Sequence, residues 1–149
     1  MVVRTFEARD QEAARNVILE GLGEHFGVID ESLNPDLDDI QASYISSGQV
    51  FLVSESEGSI TGTAGLLFEI PGVARIVRMS VRSSLRRNGI ATALLGALIK
   101  ETQARSLSAL VAHTEPHWTD ATSFYKRSGF EQFAEDDVDV HLRLKLSAV

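Results

Sequence analysis

Along this chain the apolar residues recur at every second position, then at every third or fourth, then at every second again, and the changes of period outline its elements. "VVRTFE" (2–7) reads as a short strand. From Asp10, placed as an N-cap, Ala13, Val17, Ile18 and Leu22 fall on one helical face, which predicts a helix through about Leu22. "GLGEHFGVIDESLNPDLDD" then reads as a long connection. Within it, Asn34 before Pro35 has the form of an N-cap followed by proline at the first helical position, predicting a second short helix over Asp36 to Ser46.

Strand patterns follow at Gln49–Ser56, Ser59–Ile70 and Val73–Val81, separated by turns at Glu57-Gly58 and Pro71-Gly72. Ile90, Leu94, Leu95, Leu98 and Thr102 then recur at helical spacing, predicting a helix over about Gly89–Arg105. "LSALVAHT" (107–114) is a mostly apolar strand, and Thr119–Ser128 a helix closed by Gly129. "FEQFAE" and "VDVHLRLKLS" read as a closing pair of strands. This order predicts an α/β fold in one domain, 1–149, with a mixed, mostly antiparallel sheet of about seven strands flanked by about four helices. The crossover from Val81 to Ser108 should be right-handed and join two adjacent parallel strands.

Composition narrows the chemistry. Cysteine is absent, so a disulfide, a thiolate metal site and a cysteinyl acyl-enzyme are all excluded. The four histidines have no paired spacing, and no metal site is expected. A net charge of −7 argues against a nucleic-acid partner. The start lacks the apolar core of a signal peptide and no run is long enough to span a membrane, so no membrane partner and a cytoplasmic location are expected.

Against that acidic background the basic cluster Arg82, Arg86 and Arg87 stands out. It precedes Asn88, Gly89 and the start of the long helix. The first N–H groups of a helix lack partners inside it and carry partial positive charge. A glycine there leaves the backbone open, and arginines add charge-assisted donors, so the loop suits a phosphate. Arg87 to Ala91 could supply the amides and Thr92 a hydroxyl. Neither a Gly-x-Gly-x-x-Gly fingerprint nor a Gly-Lys-Ser/Thr loop is present.

"RRNGIA" (86–91) resembles the (Gln/Arg)-x-x-Gly-x-(Gly/Ala) loop of the GNAT superfamily of acetyl-CoA-dependent N-acyltransferases, and "ATSFYKRSGF" (121–130) resembles its Ala-x-x-(Phe/Leu)-Tyr-x-x-x-Gly-Phe segment. The two occur in the family's order with one strand between them, and the resemblance covers nearly the whole chain. It implies a GNAT-like fold that takes acetyl-CoA as co-substrate, held by Arg86, Arg87, Asn88, Gly89, Ile90, Ala91 and Thr92. It also implies a fourth strand that splays from the fifth, with Met79, Ser80 and Val81 offering pantetheine their backbone and Val77 near the acetyl group. Tyr125 becomes the candidate general acid for the departing thiolate, or else an aromatic anchor beside Phe124 and Phe130.

Two departures matter. Trp118 stands where the family often has asparagine, and the fourth strand, "ARIVRMSV", carries no carboxylate or histidine to take the amine proton. Candidate bases are then Glu69 or Glu115, with His113, His117 and His25 behind them. The segment from Leu22 to Tyr44 lies where the family builds its acceptor wall, which implies Glu24, His25, Phe26, Asp30 and Glu31 as acceptor-binding residues. Together with Asp36, Asp38 and Asp39 they make it acidic, as a cationic acceptor would require or as ordinary helix-start acids would. The expected activity is transfer of an acetyl group to a primary amine of a small molecule or peptide, by direct attack in a ternary complex. A silent acyl-CoA-binding or sensing module of the same fold is the alternative, and the oligomeric state, a homodimer included, stays open.

Overall fold

The computed structural model describes residues 1–26, 34–116 and 118–147. Seven strands, β1 (Val2–Thr5), β2 (Val50–Ser56), β3 (Ser59–Ile70), β4 (Val73–Val81), β5 (Ala109–Thr114), β6 (Glu131–Glu135) and β7 (Val140–Lys145), hydrogen-bond in the order β1-β2-β3-β4-β5-β7-β6. The α-helices are α1 (Gln11–Phe26), α2 (Ile90–Ala104) and α3 (Thr119–Arg127). β4 and β5 pair in parallel, as the predicted crossover requires. By packing the chain forms two compact units, Met1–Leu66 with Arg78–Leu98, and Leu67–Val77 with Ile99–Val149.

In the first unit β1 and β2 pair antiparallel from Val2↔Glu55 to Thr5↔Leu52. β2 turns into β3 through Glu57 and Gly58, both at positive φ, the geometry that a two-residue hairpin favours. Phe51, Val53, Ala64 and Leu66 are fully buried, and Phe6 and Tyr44 close on Phe51 at ring distances of 5.6 and 4.9 Å. α2 adds Ile90, Leu94, Leu95 and Leu98, all buried as the spacing predicted. Burial of such side chains stabilises by roughly 1.5–3 kcal/mol each.

Two local predictions are corrected here. Asp10 does not cap α1 from outside. It closes a 3₁₀ turn, Ala8–Asp10, by accepting the Glu7 N–H at 2.9 Å, and it takes two hydrogen bonds from Arg4 at 2.8 and 3.0 Å. The buried stripe of α1 accordingly starts at Ala14, not the exposed Ala13, and continues through Val17 and Ile18.

The second helix is not continuous either. A 3₁₀ turn, Pro35–Asp38, and a π turn, Gln41–Ile45, are broken at Asp39, whose φ of −151° and ψ of 88° are not helical. The cause is Gln11. Its amide donates to the Leu37 carbonyl at 2.7 Å and accepts from the Ile40 N–H at 2.9 Å, so a side chain satisfies backbone groups that a helical ladder would otherwise use.

In the second unit β5 pairs in parallel with β4 from Val73↔Ala109 to Ile76↔Ala112, and antiparallel with β7 from Ala109↔Lys145 to Thr114↔Val140. Ala74, Ile76, Leu110, Ala112, Val140 and Leu142 are buried together with Thr102, Tyr125 and Phe130. β6 is the last strand of the sheet, and all five of its residues are exposed. Its register with β7 shifts between Gln132 and Ala134, and the Arg143 guanidinium lies over the Phe133 ring at 4.7 Å.

α3 ends as its sequence dictates. Gly129, at φ 100°, donates to the Lys126 carbonyl at 3.1 Å, and Phe130 donates to the Tyr125 carbonyl at 3.0 Å. That pair of bonds is a Schellman cap, and the apolar contact that accompanies it is Tyr125 against Phe130, 5.1 Å between rings. The spacing Tyr-x-x-x-Gly-Phe is therefore a helix stop that fixes its own tyrosine.

Candidate active site

The loop between β4 and α2 is built from the strand upward. Arg82 N–H donates to the Thr61 carbonyl at 2.9 Å, Ser83–Leu85 form a 3₁₀ turn, and Asn88 folds back to donate to the Leu85 carbonyl at 3.1 Å. Arg87 and Gly89 take positive φ values of 66° and 79°. The Gly89 carbonyl accepts the Ala93 N–H at 3.0 Å, which makes Gly89 the residue that opens α2. It brings no side chain to satisfy the first amides of the helix, and a Cβ at this position would meet nothing within 4 Å. The result is an open helix start beside exposed cations.

α1 holds this loop from one side. Glu20 and Glu24, one helical turn apart, accept hydrogen bonds from Ser83 Oγ and from Arg86 Nη1. Ser80 Oγ donates to the Val17 carbonyl at 3.2 Å. A residue expected at the acceptor wall (Glu24) and one expected at the phosphate loop (Arg86) are thus one ion pair. The loop's cations without a side-chain partner among the described residues are Arg82 and Arg87, both exposed.

These features sit where sequence comparison places a known fold. The sequence profile of the acetyltransferase (GNAT) family matches residues 16–130. The chain belongs to that family. Rat (Rattus norvegicus) N-acetyltransferase 8 is 32% identical over 118 residues, 75% of this chain and 53% of its own length. The chain thus spans about half the length of that curated relative. A GNAT-family acetyltransferase from Staphylococcus aureus Mu50 superposes with a TM-score of 0.88 at 22% identity, covering 98% of this chain and 99% of that one. The PaiA N-acetyltransferase of Thermoplasma acidophilum, in complex with coenzyme A, superposes at 0.86 and 17% identity, covering 97% and 98%.

In this GNAT chain β4 carries a feature that periodicity does not reveal. Arg78, at φ 53°, breaks the regular strand, and Thr63 Oγ1 donates to its carbonyl at 2.8 Å. Its guanidinium donates to Asp36 at 2.7 and 3.0 Å and to Asn34 Oδ1 at 3.0 Å, while the Tyr44 hydroxyl donates to Asp36 at 2.6 Å. Burial pushes the Asp36 carboxyl upward, but the bonds from Arg78 and Tyr44 outweigh it and hold the group below the ordinary carboxylate value. Asn34 and Asp36, read as a cap and a helix-start acid, are ligands of Arg78 instead. A positive φ on a non-glycine residue leaves no sequence signature; an arginine within an otherwise apolar stretch is the one hint, and β4 has two of them, Arg75 and Arg78.

β4 continues through Val77, Met79, Ser80 and Val81 beyond its last register pair with β5, Ile76↔Ala112. Among the expected acceptor residues, Glu24 pairs with Arg86, and His25 and Phe26 lie in the last turn of α1. Asp30 and Glu31 lie outside the described residues, as does His117.

In the second unit Tyr125 is 5% exposed, with Phe124 and Phe130 rings at 5.3 and 5.1 Å. Burial alone pushes its phenol well above the ordinary value, so the hydroxyl stays protonated. Glu69 accepts a hydrogen bond from Arg75 at 2.7 Å, which lowers its pKa and makes it a weaker base. Glu115 follows β5, and its carbonyl accepts the Trp118 N–H at 3.0 Å. Trp118 occupies the cap position of α3 without a side-chain cap bond. Among the described residues no cluster of His, Cys, Asp or Glu could hold a metal ion, and no helix is long and apolar enough to cross a membrane.

Proposed function

We propose that this chain transfers an acetyl group from acetyl-CoA to a primary amine by direct attack in a ternary complex. The observation that carries the reading is the start of α2: a cap residue without a side chain, in open space, flanked by Arg82 and Arg87 with no other side-chain partner among the described residues. Such a site suits the pyrophosphate of the co-substrate, with Gly89 to Thr92 supplying amides and the backbone of Met79 to Val81 facing pantetheine. Acetyl-CoA supplies the activated thioester; the protein's part is to hold it, place the amine and manage protons. The absence of cysteine supports a direct route over a cysteinyl intermediate.

The Tyr125 hydroxyl is then the proton donor to the leaving thiolate. Its raised pKa keeps the hydroxyl protonated and makes it a weaker acid than an exposed tyrosine, so its part is to hydrogen-bond the sulfur and release the proton only as charge develops there. The acceptor class narrows only to an amine: Glu24 and Asp36 already have arginine partners, so the case for a cationic acceptor rests on the other acids of the segment, Asp30, Glu31, Asp38 and Asp39. Release of free coenzyme A thiol across a panel of amines, amino acids and peptides tests the activity. Tight acetyl-CoA binding with no thiol release from any of them would instead identify the silent binding module, which the unusual Trp118 favours.

A further inference from the structure

At the end of β5 lies a pair of histidines that the proposed chemistry has not used. His113 and His141 are direct cross-strand partners on β5 and β7, with ring centroids 4.2 Å apart. His141 Nε2 is 2.9 Å from Asp136 Oδ2. Asp136 is itself fixed, because its other oxygen accepts the backbone N–H groups of Val138 and Asp139 at 2.8 and 2.7 Å. The edge of the Phe133 ring closes on His141 at 6.0 Å. A carboxylate thus orients one imidazole, and that imidazole backs a second, whose residue is exposed.

The position of His113 gives the pair a task. β4 and β5 pair in register as far as Ile76↔Ala112, and the next residues are Val77 and His113. Parallel partners share a sheet face, so His113 follows Val111 on the face of Arg75 and Val77. The family resemblance sets Val77 beside the acetyl group. Given the acetyltransferase reading, on which this inference rests, we propose that His113 is the general base that deprotonates the acceptor amine, with His141 and Asp136 as its positioning residues.

The surroundings suit a base that is neutral at neutral pH. Burial, His141 from β7 and Arg75 from β4 all disfavour protonation of His113; Asp139 from the β6–β7 turn and Glu69 from β3 favour it, and the first set prevails. Asp136 reaches His113 only through His141. In the proposed step the neutral His113 takes one proton from the acceptor ammonium. The freed nitrogen lone pair forms the C–N bond as the C–S bond breaks and Tyr125 gives its proton to the thiolate sulfur; the nitrogen's second proton restores the phenol, and His113 returns its proton to solvent.

His113→Gln should lower kcat/KM at neutral pH by about 10²–10⁴-fold with acetyl-CoA affinity and circular dichroism unchanged. The deficit should narrow as pH approaches the acceptor's own pKa, where no base is needed; a merely structural role would leave it constant. Imidazole NMR titration should find His113 protonating below the ordinary histidine value and rising in His141→Gln. A His113→Gln variant within twofold of wild type at every pH, or a His113 titration unmoved by His141→Gln, would overturn the inference while leaving the acetyltransferase reading intact. Absence of thiol release by the wild type with any amine would overturn both.

Discussion

A glutamate at position 89 would project into open space at the start of α2, where Gly89 now leaves the first amides uncovered. Gly89→Glu should therefore abolish measurable acetyl-CoA binding by titration calorimetry, because it sets an anion and a strained φ of 79° where an anion is to dock. Arg87→Ala removes a charge-assisted contact of roughly 1.5–3 kcal/mol and should weaken binding about 10–150-fold. Arg86→Ala should act differently, since it also leaves Glu24 unpaired beside the loop. At Tyr125 the substitution to phenylalanine keeps both ring contacts and removes the hydroxyl. If that hydroxyl protonates the thiolate, kcat should fall by about 10²–10⁴-fold with acetyl-CoA affinity nearly preserved. Turnover within twofold of wild type would leave Tyr125 as the aromatic partner of the α3 cap.

Among the elements, α3 and its cap read most directly from sequence to geometry. Gly129→Ala forces a Cβ into a left-handed conformation at φ 100° and should cost about 1–2 kcal/mol, seen as a lower urea midpoint. The α2 stripe and the bounds of β4 were equally legible, because period and turn residues agree there. The segment after α1 was not. Its Asn-Pro start promised a helix, but Gln11, more than twenty positions earlier, captured its backbone, and no local pattern announces such a partner. Arg78 and Arg86 illustrate the same limit: their charges were visible, but the acids that neutralise them come from other elements.

For the molecule as a whole, charge sets two expectations. Asp10 is held below its ordinary value of 3.8 mainly by the bond from Arg4, and Asp36 also lies below it. Both therefore bind protons more readily when the chain unfolds. The stability they provide is complete above the ordinary value and is lost as pH falls through their folded values. Urea midpoints should drop below about pH 4, and Asp10→Asn, already destabilised, should show a flatter decline. The second concerns the net charge of −7, which should repel an anionic co-substrate at long range while the local arginines attract it. If the loop dominates, raising ionic strength from about 0.01 to 0.15 M, which shortens the screening length from about 30 to 8 Å, should weaken acetyl-CoA binding; tighter binding would mean that the global field prevails.

The outermost strand has a consequence for life in concentrated solution. A strand at the edge of a sheet offers the N–H and C=O groups of its outer side to any passing chain, and ribbons of stacked copies are the usual failure. β6 blunts that hazard with the kink at Phe133, with Glu131 and Glu135 at its ends, and with the Arg143 guanidinium as a lid on the exposed ring. Removing the lid should be nearly silent in the folded protein's stability and loud in its shelf life. Arg143→Ala is expected to scatter light earlier than wild type on prolonged incubation, and adding Phe133→Ser should restore clarity.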